Sequence, residues 1–336
     1  MFFILYTQIF EKMESVNISV VVPTYKRPNL LYRCLDALLK QEYPKGKFEI
    51  VVVSDGEDAL TARAIDAMPF PAIKYYSLPV KAGPAAARNL GWMLAGAEVV
   101  AFTDDDCIPS VGWLEAIWSA YQNSERGEVA FSGRTIVPIN GHPTDYERNI
   151  SQLASAEFIT ANCACTKQAL QKVSGFDERF RMAWREDSDL QFKFILHGIP
   201  ILKVPGAAVT HPVRKAPWGV SIREERKGMF NALLYKKYPA LYKEKIEPTP
   251  PWHYYAIAFF LFLLLVGIFT NKPVIKLTGV SGWLLMTAWF AARRLRSTSH
   301  SWNHVSEMIF TSAVIPVLSL FWKFYGSWKF RVLLIP

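Results

Sequence analysis

Cysteine is scarce in this chain of 336 residues, which contains only four: Cys34, Cys107, Cys163 and Cys165. Only the last two lie close together, in a Cys-Ala-Cys sequence, and no second pair completes the spacing of a structural zinc site. We therefore predict four free thiols, buried or half-buried, in a protein of a reducing compartment.

The chain also lacks the signatures of nucleic-acid binding, although it is basic, with a formal net charge of +9. It has no helix-turn-helix pattern, no zinc-finger spacing and no basic motif interleaved with aromatic residues. An excess of positive charge equally suits an anionic membrane surface or a diphosphate substrate. We predict these partners and no nucleic acid.

A secretory signal peptide is missing as well. The first ten residues, MFFILYTQIF, are apolar but too few to cross a bilayer, and they have neither a basic start nor a small-residue cleavage site. This extension, assigned to residues 1–14, is either an interfacial anchor or an artefact of the start site, because Met13 lies just before the first strand.

The first half of the chain is rich in short apolar runs that alternate with helical patterns. The predicted strands lie at 18–22, 48–53, 73–78 and 99–102, and helical spacing occurs at 29–40 and 84–95. This alternation predicts an α/β fold with a doubly wound, parallel sheet. Ligands of such sheets bind at the carboxyl ends of the strands, where Thr24, Asp55 and Asp104–Asp106 lie.

Apolar runs of membrane length fill the last quarter of the chain. Residues 252–270 carry no formal charge and are long enough to cross about 30 Å of hydrocarbon. Residues 274–292 can also span if the Lys276 side chain reaches the interface. The third run, 308–322, covers only about 22 Å as a helix and contains Pro316. It is a short span, a re-entrant segment or an interfacial helix.

Charge and composition then give the domain organisation and the topology. The Pro248-Thr249-Pro250-Pro251 sequence is a stiff linker, so we predict a catalytic domain over residues 15–247 and a membrane region over residues 248–336. The basic cluster Arg293-Arg294-Leu295-Arg296 predicts a cytoplasmic loop. A multi-pass membrane protein with a cytoplasmic catalytic domain follows.

Three adjacent carboxylates, Asp104-Asp105-Asp106, follow the fourth predicted strand. They repel one another unless a cation or water compensates their charge. Oxygen ligands suit Mg²⁺ or Mn²⁺ bridging a diphosphate. The structural alternative is an acidic turn before Pro109.

Other polar residues are open to both functional and structural interpretations. Asp55 can bind a ribose or base, or form a turn, and Arg88 can bind phosphate or a base, or lie on a helix surface. Asp187, next to Glu186, can remove the proton of an acceptor hydroxyl or cap a helix. His211 can be a nitrogen ligand to the metal or a structural histidine.

Six motifs, taken in order, resemble those of the family 2 glycosyltransferases, which have the GT-A fold. They are V-V-P-T-Y-K-R-P (Val21–Pro28), V-S-D-G (Val53–Gly56), G-P-A-A-A-R-N (Gly83–Asn89), T-D-D-D-C-I-P (Thr103–Pro109), G-F-D-E (Gly175–Glu178) and W-R-E-D-S-D-L (Trp184–Leu190). The resemblance covers roughly residues 15–240. It implies a Rossmann-like mixed sheet and the transfer of a sugar, with inversion, from a nucleotide-diphospho-sugar to a hydroxyl acceptor. The membrane anchor predicts that this acceptor is lipid-linked or an envelope glycan precursor.

The resemblance also implies roles for single residues. Those expected to bind the donor are Pro23, Thr24, Arg27, Asp55, Arg88, Asp104 and Asp105. Asp104, Asp106 and, in some members, His211 correspond to ligands of the Mn²⁺ or Mg²⁺ ion. Asp187 corresponds to the catalytic base, and Trp184 and Glu186 are assigned to the acceptor.

The sequence departs from the family pattern in two places. Ser54 stands where a second acidic residue is usual, and the Q-x-x-R-W motif of processive synthases is absent, so we predict transfer of one or a few sugars. The alternatives are a polyprenyl-phosphate sugar synthase, a sugar nucleotidyltransferase and a catalytically inactive membrane scaffold. A nucleotidyltransferase usually has a Gly-rich loop that P-T-Y-K-R-P lacks, and the retained acids argue against a scaffold.

Overall fold

The computed structural model describes residues 16–68, 73–125, 127–139 and 141–333. The predicted apolar extension, residues 1–14, lies outside them. The chain divides into two compact units, which we call unit 1 (residues 1–138 and 153–212) and unit 2 (residues 139–152 and 213–336). The predicted boundary between residues 247 and 248 stays a prediction.

Unit 1 is built on one mixed sheet of eight strands, in the order β3-β2-β1-β4-β7-β6-β8-β5. The strands are β1 (Ile18–Thr24), β2 (Phe48–Ser54), β3 (Ile73–Ser77), β4 (Val99–Thr103), β5 (Ile108–Pro109), β6 (Ala130–Ile136), β7 (Asn162–Thr166) and β8 (Ile201–Thr210). The first four are mutually parallel, as predicted. Beyond them β7 runs antiparallel to β4 and β6, and β5 runs antiparallel to β8.

The strands β1, β2 and β4 are buried along their whole length because both faces of this part of the sheet are covered. Val20 and Val22 of β1 pack into one hydrophobic core with Leu35, whereas Val21 packs into a second core with Phe102. The helices of unit 1 are α1 (Pro28–Leu39), α2 (Ala59–Asp66), α3 (Pro84–Leu94), α4 (Trp113–Gln122), α6 (Lys167–Lys172) and α7 (Glu186–Leu196). The predicted α/β fold is therefore confirmed.

Unit 2 is helical throughout its described part. Its α-helices are α5 (Asp145–Ser151), α8 (Val220–Glu224), α9 (Met229–Lys237), α10 (Pro239–Lys245), α11 (Trp252–Phe269), α12 (Pro273–Leu295) and α13 (Trp302–Lys329), with a 3₁₀ turn at Glu225–Gly228. The last three are long and apolar enough to cross a membrane. The helix α13 has 28 residues and is longer than the predicted run because it includes polar residues at both ends.

The four cysteines are buried and free, which confirms the prediction of unpaired thiols. Cys34 and Cys107 belong to one core of unit 1, and Cys163 and Cys165 belong to the other. Burial raises the pKa of each thiol above its ordinary value.

Candidate active site

The carboxyl ends of β1, β2 and β4 meet at one edge of the sheet, and hydrogen bonds join them. The Asp55 backbone N–H donates to the Thr24 carbonyl at 2.8 Å. The Thr24 hydroxyl donates to Asp105 Oδ2 at 2.7 Å, and both side chains are buried. The structure thus brings together the polar residues that follow three separate strands, with Pro23 buried beside them in β1.

Asp55 fixes the loop that leads into α3. Its Oδ1 atom accepts the backbone N–H groups of Ala82 and Gly83, at 2.7 and 2.8 Å. Gly83 has φ +104°, in the region that favours glycine, and a Cβ atom there would lie 2.6 Å from the Arg181 carbonyl oxygen. The loop therefore depends on a glycine at this position and on the buried Asp55 carboxylate.

Replacing Gly83 with alanine should lower the free energy of unfolding by about 1–3 kcal/mol more than the same change at Gly46. Both glycines have positive φ (+88° at Gly46), but nothing lies within 4 Å of a Cβ atom at Gly46. The difference between the two variants isolates the clash with the Arg181 backbone. Thermal or urea unfolding of the detergent-solubilised full chain measures it, and equal losses would contradict the steric argument.

The three adjacent aspartates have different partners. Asp104 Oδ1 lies 2.7 Å from Arg88 Nη2, and Asp105 Oδ1 lies 2.8 Å from Arg27 Nη2. Asp106 Oδ2 lies 3.8 Å from Arg27 Nη1. Burial raises the pKa of Asp105 to about 7, against the opposing effects of Arg27 and the Thr24 hydroxyl. Asp105 is fully buried and contacts Thr24 and Arg27, whereas Asp104 contacts Arg88.

A group of metal-ligating atoms forms beside Asp106. Ligand atoms of Asp106, Cys107 and His211 lie within 4.8 Å of one another, and His211 Nε2 is 3.8 Å from Asp106 Oδ1. That separation is too long for a hydrogen bond but fits two ligands that each lie about 2.1 Å from one cation. The buried His211 Nδ1 has no hydrogen-bond partner among the described residues. These residues fit a divalent cation.

Arg88 joins the aspartate cluster to a second acidic site. Its guanidinium contacts Asp104 Oδ1 at 2.7 Å and Glu186 Oε1 at 3.2 Å, and the residue is only 2% exposed. It lies on α3, whose first turn contains Ala85 and Ala87, which belong to the same hydrophobic core as Val21 of β1. The predicted contact of Arg88 with the nucleotide stays a prediction, since its observed partners are two acids from distant parts of the chain.

Glu186 and Asp187 are the first two residues of α7. The N-cap residue, Arg185, has the left-handed conformation with φ 74°. Asp187 Oδ1 accepts the backbone N–H of Ser188 at 2.6 Å. Burial raises the pKa of both acids, against the opposing charge of Arg88. The Glu186 Oε2 atom is buried and has no hydrogen-bond partner among the described residues. Two acids whose pKa values are raised in this way are suited to proton transfer.

Two residues of the candidate site, Arg185 and Cys107, had no functional role predicted from the sequence. The Arg185 guanidinium lies 4.6 Å from the centre of the Trp184 ring, and its charge opposes the rise in the pKa of Asp187. Cys107 joins the candidate metal ligands. A non-glycine residue with positive φ has no reliable sequence signal, and a cysteine next to aspartates gives none either.

Comparison with known proteins identifies the domain that carries this site. Residues 19–184 match the model of the Glycosyl transferase family 2. The chain contains a glycosyl transferase family 2 domain. The matched residues of this domain include the aspartate cluster and Arg88 and end at Trp184, two residues before Glu186.

Three glycosyltransferases resemble the domain in sequence. Glycosyltransferase AglE of Haloferax volcanii is 35% identical over 130 residues, which are 37% of this chain and 38% of AglE. Validoxylamine A glucosyltransferase of Streptomyces hygroscopicus subsp. limoneus is 25% identical over 62% of this chain and 52% of its own. Pre-mycofactocin glycosyltransferase of Mycobacterium tuberculosis is 27% identical over 59% and 43%. The matches therefore span only about two fifths to half of each relative.

A solved structure resembles the chain over almost its whole length. The mannosyltransferase PcManGT from Pyrobaculum calidifontis, in complex with GDP-Man and Mn²⁺, aligns with 97% of this chain and 94% of its own, with a TM-score of 0.56 and 17% identity. At this identity the likeness establishes the fold. The glycosyltransferase domain therefore has the GT-A fold, as the motifs predict.

Proposed function

We propose that this protein is an inverting glycosyltransferase. It transfers a sugar from a nucleotide-diphospho-sugar to a hydroxyl group of a lipid-linked or envelope glycan precursor at the cytoplasmic face of the membrane. In this proposal the glycosyltransferase domain extends over residues 15–247 and is anchored by the region 248–336. Transfer stops after one or a few sugars.

The observation that carries this proposal is the Arg88 bridge between Asp104 and Glu186. It links the acids that follow β4, the expected site of the diphosphate, to the acids that begin α7, the expected site of the acceptor. A sugar transferase needs these two functions within the reach of one sugar ring. The matching family model and the glycosyltransferase relatives support the same chemistry.

Each residue has a part in the proposed reaction. Asp187 accepts the proton of the acceptor hydroxyl, whose oxygen attacks the anomeric carbon opposite the nucleoside diphosphate, so that the configuration inverts. Asp104, Asp106 and His211 would hold Mn²⁺ or Mg²⁺. When bound, such an ion stabilises the charge that develops on the departing diphosphate.

The donor and acceptor are positioned by the remaining residues of the edge. Pro23, Thr24, Arg27 and Asp55 line the nucleotide site, and Asp105 supports it through Thr24 and Arg27. Trp184, which is 37% exposed, offers an aromatic face to the acceptor sugar. Glu186 lies beside Asp187 and influences its proton affinity.

The products of the reaction test the proposal. Incubation of the purified protein with a panel of sugar nucleotides, Mn²⁺ and membrane extract should release nucleoside diphosphate and form a glycosylated, extractable product. Release of pyrophosphate would indicate a nucleotidyltransferase, and a product with the sugar on a polyprenyl phosphate would indicate a polyprenyl-phosphate sugar synthase. Absence of any release with every donor would contradict the enzyme proposal.

Metal binding is tested by single substitutions. Asp106→Asn and His211→Asn should each weaken Mn²⁺ binding at least about 10–100-fold, since loss of an outer-shell partner alone has an effect of that size. Titration followed by the electron paramagnetic resonance signal of free Mn²⁺ measures the Kd. Exposed residues of the same types, Asp66 and His197, supply the matched controls. An unchanged Kd in both test variants would remove these residues from the metal site.

A further inference from the structure

The helix α13 runs along a charged segment for its whole length. Trp218 Nε1 donates to the Asn303 carbonyl at 3.3 Å near its start, and the Gly219 N–H donates to Glu307 at 2.6 Å. Arg226 stacks on Trp322 near its end, with 5.9 Å between the guanidinium and the ring centre. One residue beyond the helix, the Phe330 carbonyl accepts from Lys236 at 2.8 Å. The partner segment is therefore 218–236.

This pairing argues against a membrane-crossing position for α13. Seven of the 18 residues from Val220 to Lys237 are charged. A third span beside them would draw these charges into the hydrocarbon, where an ionised side chain is strongly unfavourable. Length and composition make α13 a candidate span, but its neighbours carry too much charge.

The helices α11 and α12 form an antiparallel hairpin that gives a reference direction. His253 contacts Phe290 at 5.2 Å between ring centres, and Gly279 packs on the backbone of Leu264. Trp252 and Arg294 therefore lie at one end of the hairpin, and Asn271 lies at the other.

Two distant points of α13 touch the same end of this hairpin. Arg294 donates to Thr311 Oγ1 at 2.7 Å, and Lys323 donates to Glu247, five residues before α11, at 2.8 Å. Thr311 and Lys323 are about 18 Å apart along a helix. A helix parallel to the hairpin axis would carry them to different depths, so α13 crosses the end of the hairpin.

One side of α13 is an apolar stripe of large exposed side chains, of which Phe310 also packs against Trp218, with 5.4 Å between the ring centres. Its members are Phe310, Val317, Phe321, Phe324 and Trp328, which are 37–76% exposed and share one face of a helix of 3.6 residues per turn. A stripe of exposed apolar side chains on one side of a helix that packs on a charged segment is typical of helices that lie in the bilayer interface.

The charge of unit 2 matches an anionic headgroup surface. Unit 2 contains 18 Lys and Arg and 7 Asp and Glu, a net charge of +11, whereas unit 1 contains 20 and 22, a net charge of −2. The positive excess of the protein therefore belongs entirely to the unit with the membrane-type helices. Lys and Arg side chains near an anionic leaflet are attracted to it electrostatically.

We propose that α13 and segment 218–236 lie in the plane of the membrane on an anionic phospholipid surface, with the apolar stripe facing the acyl chains. Two helices then cross the bilayer and the C-terminal end of α13 stays on the side of Arg294. This inference rests on the proposed spanning of α11 and α12, and it does not depend on the sugar chemistry.

Single cysteines in the full chain test the topology, because the four native thiols are buried. The exposed position Asn271 reports the α11–α12 loop, Ser297 the α12–α13 loop, and Leu333 the segment that follows α13. With a membrane-impermeant maleimide, Asn271→Cys should react in intact cells, and Ser297→Cys and Leu333→Cys only after permeabilisation. Reaction of Leu333→Cys but not Ser297→Cys in intact cells would overturn the proposal. Failure of Asn271→Cys to react until permeabilisation would instead refute the spanning hairpin.

Measurements of depth in the bilayer test whether lipid covers the apolar stripe. Bimane attached to Phe310→Cys, Val317→Cys or Phe324→Cys, in nanodiscs with brominated lipids, should report three similar, shallow depths. A spanning helix would place Val317 deepest. Nanodiscs of phosphatidylcholine alone should give weaker quenching than those with phosphatidylglycerol, and equal quenching would overturn the anionic surface. No quenching in either would show that a protein partner or a second copy covers the stripe.

Discussion

Replacing Asp187 with asparagine should lower kcat by about 10²–10⁴-fold, the usual contribution of a positioned general base, while the Kd of the donor stays unchanged. The amide has the same shape as the carboxylate but cannot accept a proton from the acceptor. Asp187 lies at the start of α7, whereas the expected donor site lies at the carboxyl ends of β1, β2 and β4. The substitution should therefore slow the chemical step without weakening donor binding. Steady-state turnover and donor titration measure the two quantities separately.

The pH dependence gives this prediction a second readout. Burial raises the pKa of Asp187 above its ordinary value, so the wild-type kcat should fall as the pH is lowered through that raised pKa and the base becomes protonated. The residual activity of Asp187→Asn should lack this acidic limb. Asp66→Asn, an exposed residue of α2, is the control. Wild-type turnover in Asp187→Asn, or an unchanged limb, would exclude Asp187 as the base.

The sequence predicts β1, β2 and β4 well because each contains a run of at least three consecutive apolar residues. The strands β1, β2 and β4 are buried on both faces, so composition alone identifies them. The strands β6 and β7 have the sequences AFSGRTI and NCACT, which lack such a run. Their structure depends on pairing with each other and with β4 and β8, which are tertiary contacts that no local pattern records.

The candidate site is predictable in its residue types and not in its contacts. The sequence identifies Asp104, Arg88 and Glu186 as functional candidates, but Arg88 meets acids that are 16 and 98 positions away along the chain. Burial decides what each can do. Asp105 has the same sequence environment as its two neighbours, yet it points to Thr24 and Arg27 inside the protein.

Replacing Arg88 with glutamine should destabilise the glycosyltransferase domain by about 3–5 kcal/mol, the usual effect of breaking a buried ion pair. The change leaves Asp104 and Glu186 without their shared cation, and their side chains are only 27% and 5% exposed. Repulsion and burial then act together, so the variant should unfold at a lower temperature than the wild type. The exposed Arg63→Gln variant is the control.

The same loss should shift the acidic limb of kcat to higher pH, because Arg88 opposes the rise in the pKa of both Glu186 and Asp187. Without this charge the two acids bind their protons more tightly, and a smaller fraction of Asp187 is ionised at neutral pH. Arg88→Lys keeps the charge but lacks the planar fork that reaches two carboxylates at once. It should therefore restore most of the pH profile and only part of the stability. If Arg88→Gln is too unstable to assay, the pH profile of Arg88→Lys still tests the electrostatic role of Arg88. Arg88→Lys keeps the positive charge, so its acidic limb should stay close to that of the wild type. A limb shifted to higher pH by as much as removal of the charge is expected to cause would contradict the electrostatic role.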